Sequence, residues 1–312
     1  MKFRVLTCTL LMCLGAGVFA AQGMVERSIL VTVLDKDGAP LRDLTAGDFT
    51  VREDGQARQV TSAALATDPL TVALMVDTSK PTIGKDLPLR DIRTGLGAFV
   101  KTIYAANPES KISLMDISGA AVTTVSATSN GDQMLKATSR LVTNQRSYGV
   151  LLEGLMDTAK DLAKTTSPRR AIVVISFDSP ESSTIQPRDA AMAVQKTGAA
   201  FWAVTIGSDG APVREVLFEN LPPLTGGKRL SAVQATGLEK MLGDVASALT
   251  SQYLVTFKRP DGPPSSVIQA GAKRGDQVLR ASWVKGGSGA VRQWGSGAVG
   301  QWGNGAMGQL IS

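Results

Sequence analysis

Two rhythms of hydrophobic and polar positions run along this chain, and they predict two kinds of sheet. In residues 26–66 the apolar positions recur every second residue. Ile29, Val31 and Val33 are spaced by two and run into Asp35-Lys36-Asp37-Gly38, a turn of the Asp-Gly kind. Phe49 and Val51 repeat the pattern up to Glu53-Asp54-Gly55, a second turn, and Val60 opens another short strand. Three or four such strands predict a small N-terminal β domain resembling a sandwich.

From Leu70 the pattern changes. Leu70–Val76, Ala171–Ser176 and Ala200–Ile206 are nearly continuous apolar runs, as expected of strands buried on both faces of a parallel sheet. Between them apolar residues recur at helical spacing over 87–105, 149–164, 187–197 and 236–251, with further strands predicted at Ile112–Ile117 and Ala121–Ala127. Strands alternating with helices predict an α/β domain over 68–252. Its expected fold is doubly wound around a mostly parallel, Rossmann-like sheet. Gln252–Phe257 and Gln277–Val284 return to strand character, divided by the turn-rich Pro260-Asp261-Gly262-Pro263-Pro264, and predict a C-terminal β extension over 253–285.

The two ends read differently. Lys2 and Arg4 precede an apolar stretch from Val5 to Phe19, and Ala20 and Ala21 follow. This is the order of a secretory signal peptide over 1–20. The apolar stretch is short for a membrane span, which needs ~20 residues. The reading is an exported chain located in the periplasm, on the cell surface or in the medium, with no membrane span after processing. Residues 286–312 hold an eight-residue repeat, beginning at Gly287, Gly295 and Gly303 and closing on Trp294, Trp302 and Leu310. So much glycine disfavours packing, and the expectation is a low-complexity, disordered tail.

Composition then removes whole classes of chemistry. The chain has no histidine, and its only cysteines, Cys8 and Cys13, lie in the signal. Thiolate nucleophiles, disulfides and a Ser-His-Asp triad are therefore excluded from the processed chain. Any bound metal would be a hard cation held by oxygen, namely Mg²⁺, Ca²⁺ or Mn²⁺. A net charge of +6, two units of it from Lys2 and Arg4, is mild. Basic residues form no long run, so nucleic acid is not an expected partner. Asp35-Lys36-Asp37-Gly38 lacks the later glutamate of a calcium loop, and Gly226-Gly227-Lys228 lacks the flanking residues of a phosphate loop.

One stretch carries a resemblance. Leu74-Met75-Val76-Asp77-Thr78-Ser79 resembles the first strand of von Willebrand factor A domains, whose metal-ion-dependent adhesion site opens with Asp-x-Ser-x-Ser. Val31–Gly38, Leu44–Gly55 and Leu249–Leu254 resemble, in order, segments of a secreted bacterial VWFA-related group frequent in acidobacterial genomes. The resemblance spans residues 26 to about 284. It implies a doubly wound sheet with a cation at the carboxyl ends of its strands, where a partner's carboxylate completes the coordination.

Matched residue by residue, that site is degenerate. Asp77 and Ser79 fit, whereas Pro81 stands where a second hydroxyl is expected and Thr82 comes one residue late. Gly149 falls at the threonine position, with Ser147 two residues early; Phe177 displaces the later acid to Asp178. Asp77, Ser79 and Asp178 are thus the candidate metal ligands, with Mg²⁺ (or Ca²⁺ or Mn²⁺) the cofactor implied. Lys80 and Lys85 stand nearby as alternative sources of positive charge. The reading is a non-enzymatic adhesion-type module that binds an extracytoplasmic protein through this loop face. A surface or matrix component attached by its tail is the alternative. A hydrolase built on Asp77 and Asp178 is a weaker one.

Overall fold

The computed structural model describes residues 23–81, 87–144, 146–207, 211–263 and 267–285. The expected signal peptide, the repeat tail, Thr82 and Lys85 lie outside the described residues. In chain order, strands β1 (Met24–Leu34), β2 (Phe49–Glu53) and β3 (Gln56–Leu65) come first. An alternating unit follows: β4 (Leu70–Val76), α1 (Leu89–Ala106), β5 (Lys111–Asp116), β6 (Val122–Thr128), α2 (Gly131–Ser139), α3 (Leu151–Ala163), β7 (Arg169–Phe177), α4 (Pro187–Thr197), β8 (Ala200–Ile206), α5 (Pro212–Thr225), β9 (Arg229–Ala232) and α6 (Leu238–Thr250). Strands β10 (Tyr253–Pro260), β11 (Ile268–Arg274) and β12 (Gln277–Lys285) close the described chain.

The alternating unit forms one six-stranded sheet in the order β6-β5-β4-β7-β8-β9. All its pairs are parallel except β5 with β6. Helices α1, α2 and α6 pack on one face through Ile92, Phe99, Met134 and Leu242. Helices α3, α4 and α5 cover the other through Leu155, Val194 and Leu217. Leu70–Val76 is buried at every position because alternate side chains enter opposite cores.

The β segments at the two ends of the chain are one structure, not two. They form a closed antiparallel barrel in the order β1-β10-β3-β2-β11-β12. Ile29, Val31 and Val33 point into its core with Phe49, Val51, Tyr253, Val255 and Phe257. Leu30, the residue that interrupts the alternation in β1, is buried on the other side against the core shared with α6. Hairpin β2–β3 turns at Asp54 and Gly55, both at positive φ (47° and 80°), as an Asp-Gly two-residue turn requires.

The α/β unit is therefore inserted between the third and fourth barrel strands in sequence. At the junction, buried Arg169 donates from Nη1 to the carbonyls of Ala66 (2.9 Å) and Asp68 (2.7 Å), and from Nη2 to that of Leu249 (2.7 Å). Two helices escaped the periodicity. Helix α2 is short, and α5 carries Pro222 and Pro223 in its last turns. Among the described residues, no helix is long and apolar enough to cross a membrane.

Candidate functional site

Asp77 ends the apolar run of β4 and starts the loop beyond it, so strand direction alone places it at the carboxyl edge of the sheet. In open α/β sheets that edge gathers the loops from neighbouring strands. Four segments converge there, from the loops after β4, β5 and β7 and from the stretch before α3. The backbone N–H of Asn144 donates to the carbonyl of Thr78 (2.8 Å), and Gly149 bridges both Ser118 and Glu181. The N–H of Gly149 donates to Pro180 (2.9 Å), and Ser182 donates back to Gly149 (2.8 Å).

The Asp77 carboxylate is fully buried and fully engaged. Oδ1 accepts from the Ser79 backbone N–H (3.0 Å) and the Ser79 hydroxyl (2.5 Å). Oδ2 accepts from the Ser179 hydroxyl (2.5 Å) and from Nη1 of Arg214 (2.5 Å). An ionised carboxylate offers about four acceptor sites, so protein donors saturate this one.

Arg214 lies in the first turn of α5, 1% exposed, and forms the centre of the site. Its Nη1 also donates to the hydroxyls of Ser176 (3.0 Å) and Ser179 (3.2 Å). Its Nε donates to Oε2 of Glu181 (2.5 Å). Burial opposes its charge, but the Asp77 and Glu181 carboxylates more than offset this, and its pKa lies above the ordinary arginine value. Nη2 lies against Gly149, where a Cβ would come within 1.6 Å, and has no hydrogen-bond acceptor among the described residues. Glu181 does double duty: its Oε1 accepts from the N–H of Leu151 (3.0 Å), capping α3, whose own cap residue Val150 has no side-chain acceptor.

A second carboxylate borders this centre. Asp116 accepts from the Thr78 hydroxyl at both oxygens (2.9 and 2.8 Å) and from the Ser118 N–H (3.0 Å). Burial raises its pKa, with a smaller push from Asp77, although the hydrogen bonds from Ser118 and Thr78 work against the rise.

Of the residues singled out by sequence, Asp77 and Ser79 are in direct contact. From the turn after β7, it is the Ser179 hydroxyl that reaches Asp77. Asp178 lies on the wall of a small cavity with Thr205, Gly207, Arg214 and Arg229. Lys80 is exposed at the rim. The donor set does not fit a divalent cation. Asp77 has no acceptor site left, Pro81 and Gly149 bring no side-chain oxygen, and a guanidinium stands 2.5 Å from Oδ2. Sequence reasoning missed Arg214, Glu181 and Ser179. The one available signal was Gly149, a residue without a side chain where a hydroxyl was expected.

No protein-family profile matches the sequence, and comparison with curated proteins finds no significant relative. Solved structures are informative about fold. The chain is similar to proximal thread matrix protein 1 from the mussel byssus in its second crystal form, with a TM-score of 0.50 and 12% identity over 59% of this chain and 48% of that one. The mussel protein has also been solved with a zinc-occupied MIDAS motif (TM-score 0.48, 10% identity, 64% and 49% covered). A von Willebrand factor type A protein from Catenulispora acidiphila gives a TM-score of 0.47 at 10% identity, covering 86% of this chain and 74% of that one. The chain is thus similar in fold to the mussel protein and spans about half of that protein's length.

Proposed function

We propose that this protein is an exported, non-enzymatic binding module of adhesion type that engages an extracytoplasmic protein through the loop face at the carboxyl edge of its parallel sheet. The convergence of the loops after β4, β5 and β7 with Asn144 and Gly149 at that edge carries the reading. The rim of this face exposes Tyr148 (60%) and Val142 (68%) beside Lys80 and Arg146, an aromatic and apolar surface with basic residues around it. Aromatic and arginine side chains are the usual anchors of protein interfaces. The fold shared with a thread matrix protein is in keeping with a role of this kind. A hydrolase built on Asp77 has little to stand on, because Ser79, Ser179 and Arg214 occupy the acceptor sites of its carboxylate.

The test is retention of labelled protein on the envelope and matrix fraction of the cells that produce it. Tyr148→Ala combined with Lys80→Glu should reduce retention at least several-fold. Val278→Ser, on the exposed face of the barrel, should leave it unchanged. Retention that follows Val278 and ignores Tyr148 and Lys80 would move the binding face to the barrel.

A further inference from the structure

We infer that Arg214 is a resident cation: its guanidinium stands where an A-type domain would place a metal ion, and it locks the loop face shut without one. Three independent features point the same way. The acidic residue that opens the site, Asp77, receives Nη1 of Arg214 at 2.5 Å, while its remaining acceptor sites are filled by Ser79 and Ser179. A second buried acid, Glu181, takes Nε at 2.5 Å, so the fork of one guanidinium joins two carboxylates from different loops. Finally, the residue at the threonine position of the motif is Gly149, and a Cβ there would fall 1.6 Å from Nη2 and 2.8 Å from Cζ. A side chain at 149 and an arginine at 214 exclude each other. The loss of the hydroxyl is thus the clearance the cation needs.

The substitution changes what the face can do. A bound metal can leave, and its open coordination position can take a carboxylate from a partner. A guanidinium tethered to α5 cannot leave, stays charged at any physiological pH, and here is already paired on two sides. Partner capture at this face therefore does not run through a shared ion held by Asp77. Arg214 also ties α5 to the loops after β4 and β7. The metal's structural part is thereby kept and its exchangeable part lost.

Thermal unfolding of the purified protein, with EDTA and then with saturating Mg²⁺, Mn²⁺, Ca²⁺ or Zn²⁺, tests this directly. The wild type should show the same midpoint in every condition. Arg214→Ala should unfold well below it, and millimolar Mn²⁺ or guanidinium should recover part of the loss by entering the vacated place; Asp77→Ala in the same chain should abolish that recovery. Two results would overturn the inference. One is a saturable rise of about 5 °C or more in the wild type with any of these metals, lost in Asp77→Ala, since an occupied site stabilises by that order. The other is an Arg214→Ala midpoint equal to that of the wild type. The wild-type arm stands even if Arg214→Ala fails to fold, and neither arm depends on the identity of the binding partner.

Discussion

At the scale of single residues, the site turns on steric and electrostatic exclusions. Gly149 makes the first prediction. Arg214 cannot retreat from an added methyl group, because Nη1 and Nε are fixed by Asp77 and Glu181. Overpacking a rigid interior costs ~1–3 kcal/mol, so Gly149→Ala should lie at or above the upper end of that range in urea unfolding. In the Arg214→Ala background the same methyl should cost far less, a coupling that a double-mutant cycle measures. Asp116 behaves oppositely. Its pKa is raised by burial, so the folded state favours the protonated acid. Stability from that preference is present below the unfolded pKa near 4 and is lost as pH rises through the higher folded value. Asp116→Asn keeps an acceptor for Thr78 and Ser118 and removes the charge. It should raise the melting temperature at pH 7, and the gain should shrink as the pH approaches 4. A variant less stable than wild type at pH 7 would show that the hydrogen bonds from Thr78 and Ser118 outweigh the desolvation.

At the scale of elements, Glu181 joins parts that the sequence shows as separate. It caps α3 through the Leu151 N–H and pairs with Arg214 on α5. Removing one partner of a buried ion pair leaves the other uncompensated, at a cost of ~3–5 kcal/mol. Glu181→Ala should fall in that range, with Glu181→Gln milder because an amide oxygen still accepts from Leu151; equal losses would show that the charge is what matters. The same elements show how far the sequence could be read. The strands buried on both faces and the helices α1, α3, α4 and α6 were legible because their apolar periods are long and uninterrupted. Asp77 and Ser79 were legible because they end such a strand. Gly226-Gly227 marks the end of helix α5, but nothing local marks Arg214 in its first turn, 137 residues beyond its partner Asp77. An ion pair over that separation leaves no local pattern. Gly149 showed that something was missing at the site, but not what replaced it.

At the scale of the whole molecule, the barrel takes three strands from each end of the described chain and encloses the α/β unit in sequence. The barrel closes only when its two halves meet across the insert, and the two parts share packing at the junction. Leu30 and Val284 of the barrel are buried in the core built on α1 and α6, and Arg169 of β7 holds carbonyls from both sides of the junction. This predicts one cooperative unfolding transition for both parts, which tryptophan fluorescence can check. Trp202 sits in β8, and Trp283 sits in the barrel, where its indole N–H donates to Ile268 (3.0 Å). With Trp294 and Trp302 changed to Phe, Trp202→Phe leaves only the barrel reporter and Trp283→Phe only the sheet reporter. Adding Arg169→Ala to each chain cuts the shared carbonyl contacts and should lower both midpoints by the same amount, because a two-state unit loses stability as a whole. A shift confined to the Trp202 reporter would instead make the barrel an independent folding unit, and its closure would then precede and survive the opening of the α/β insert.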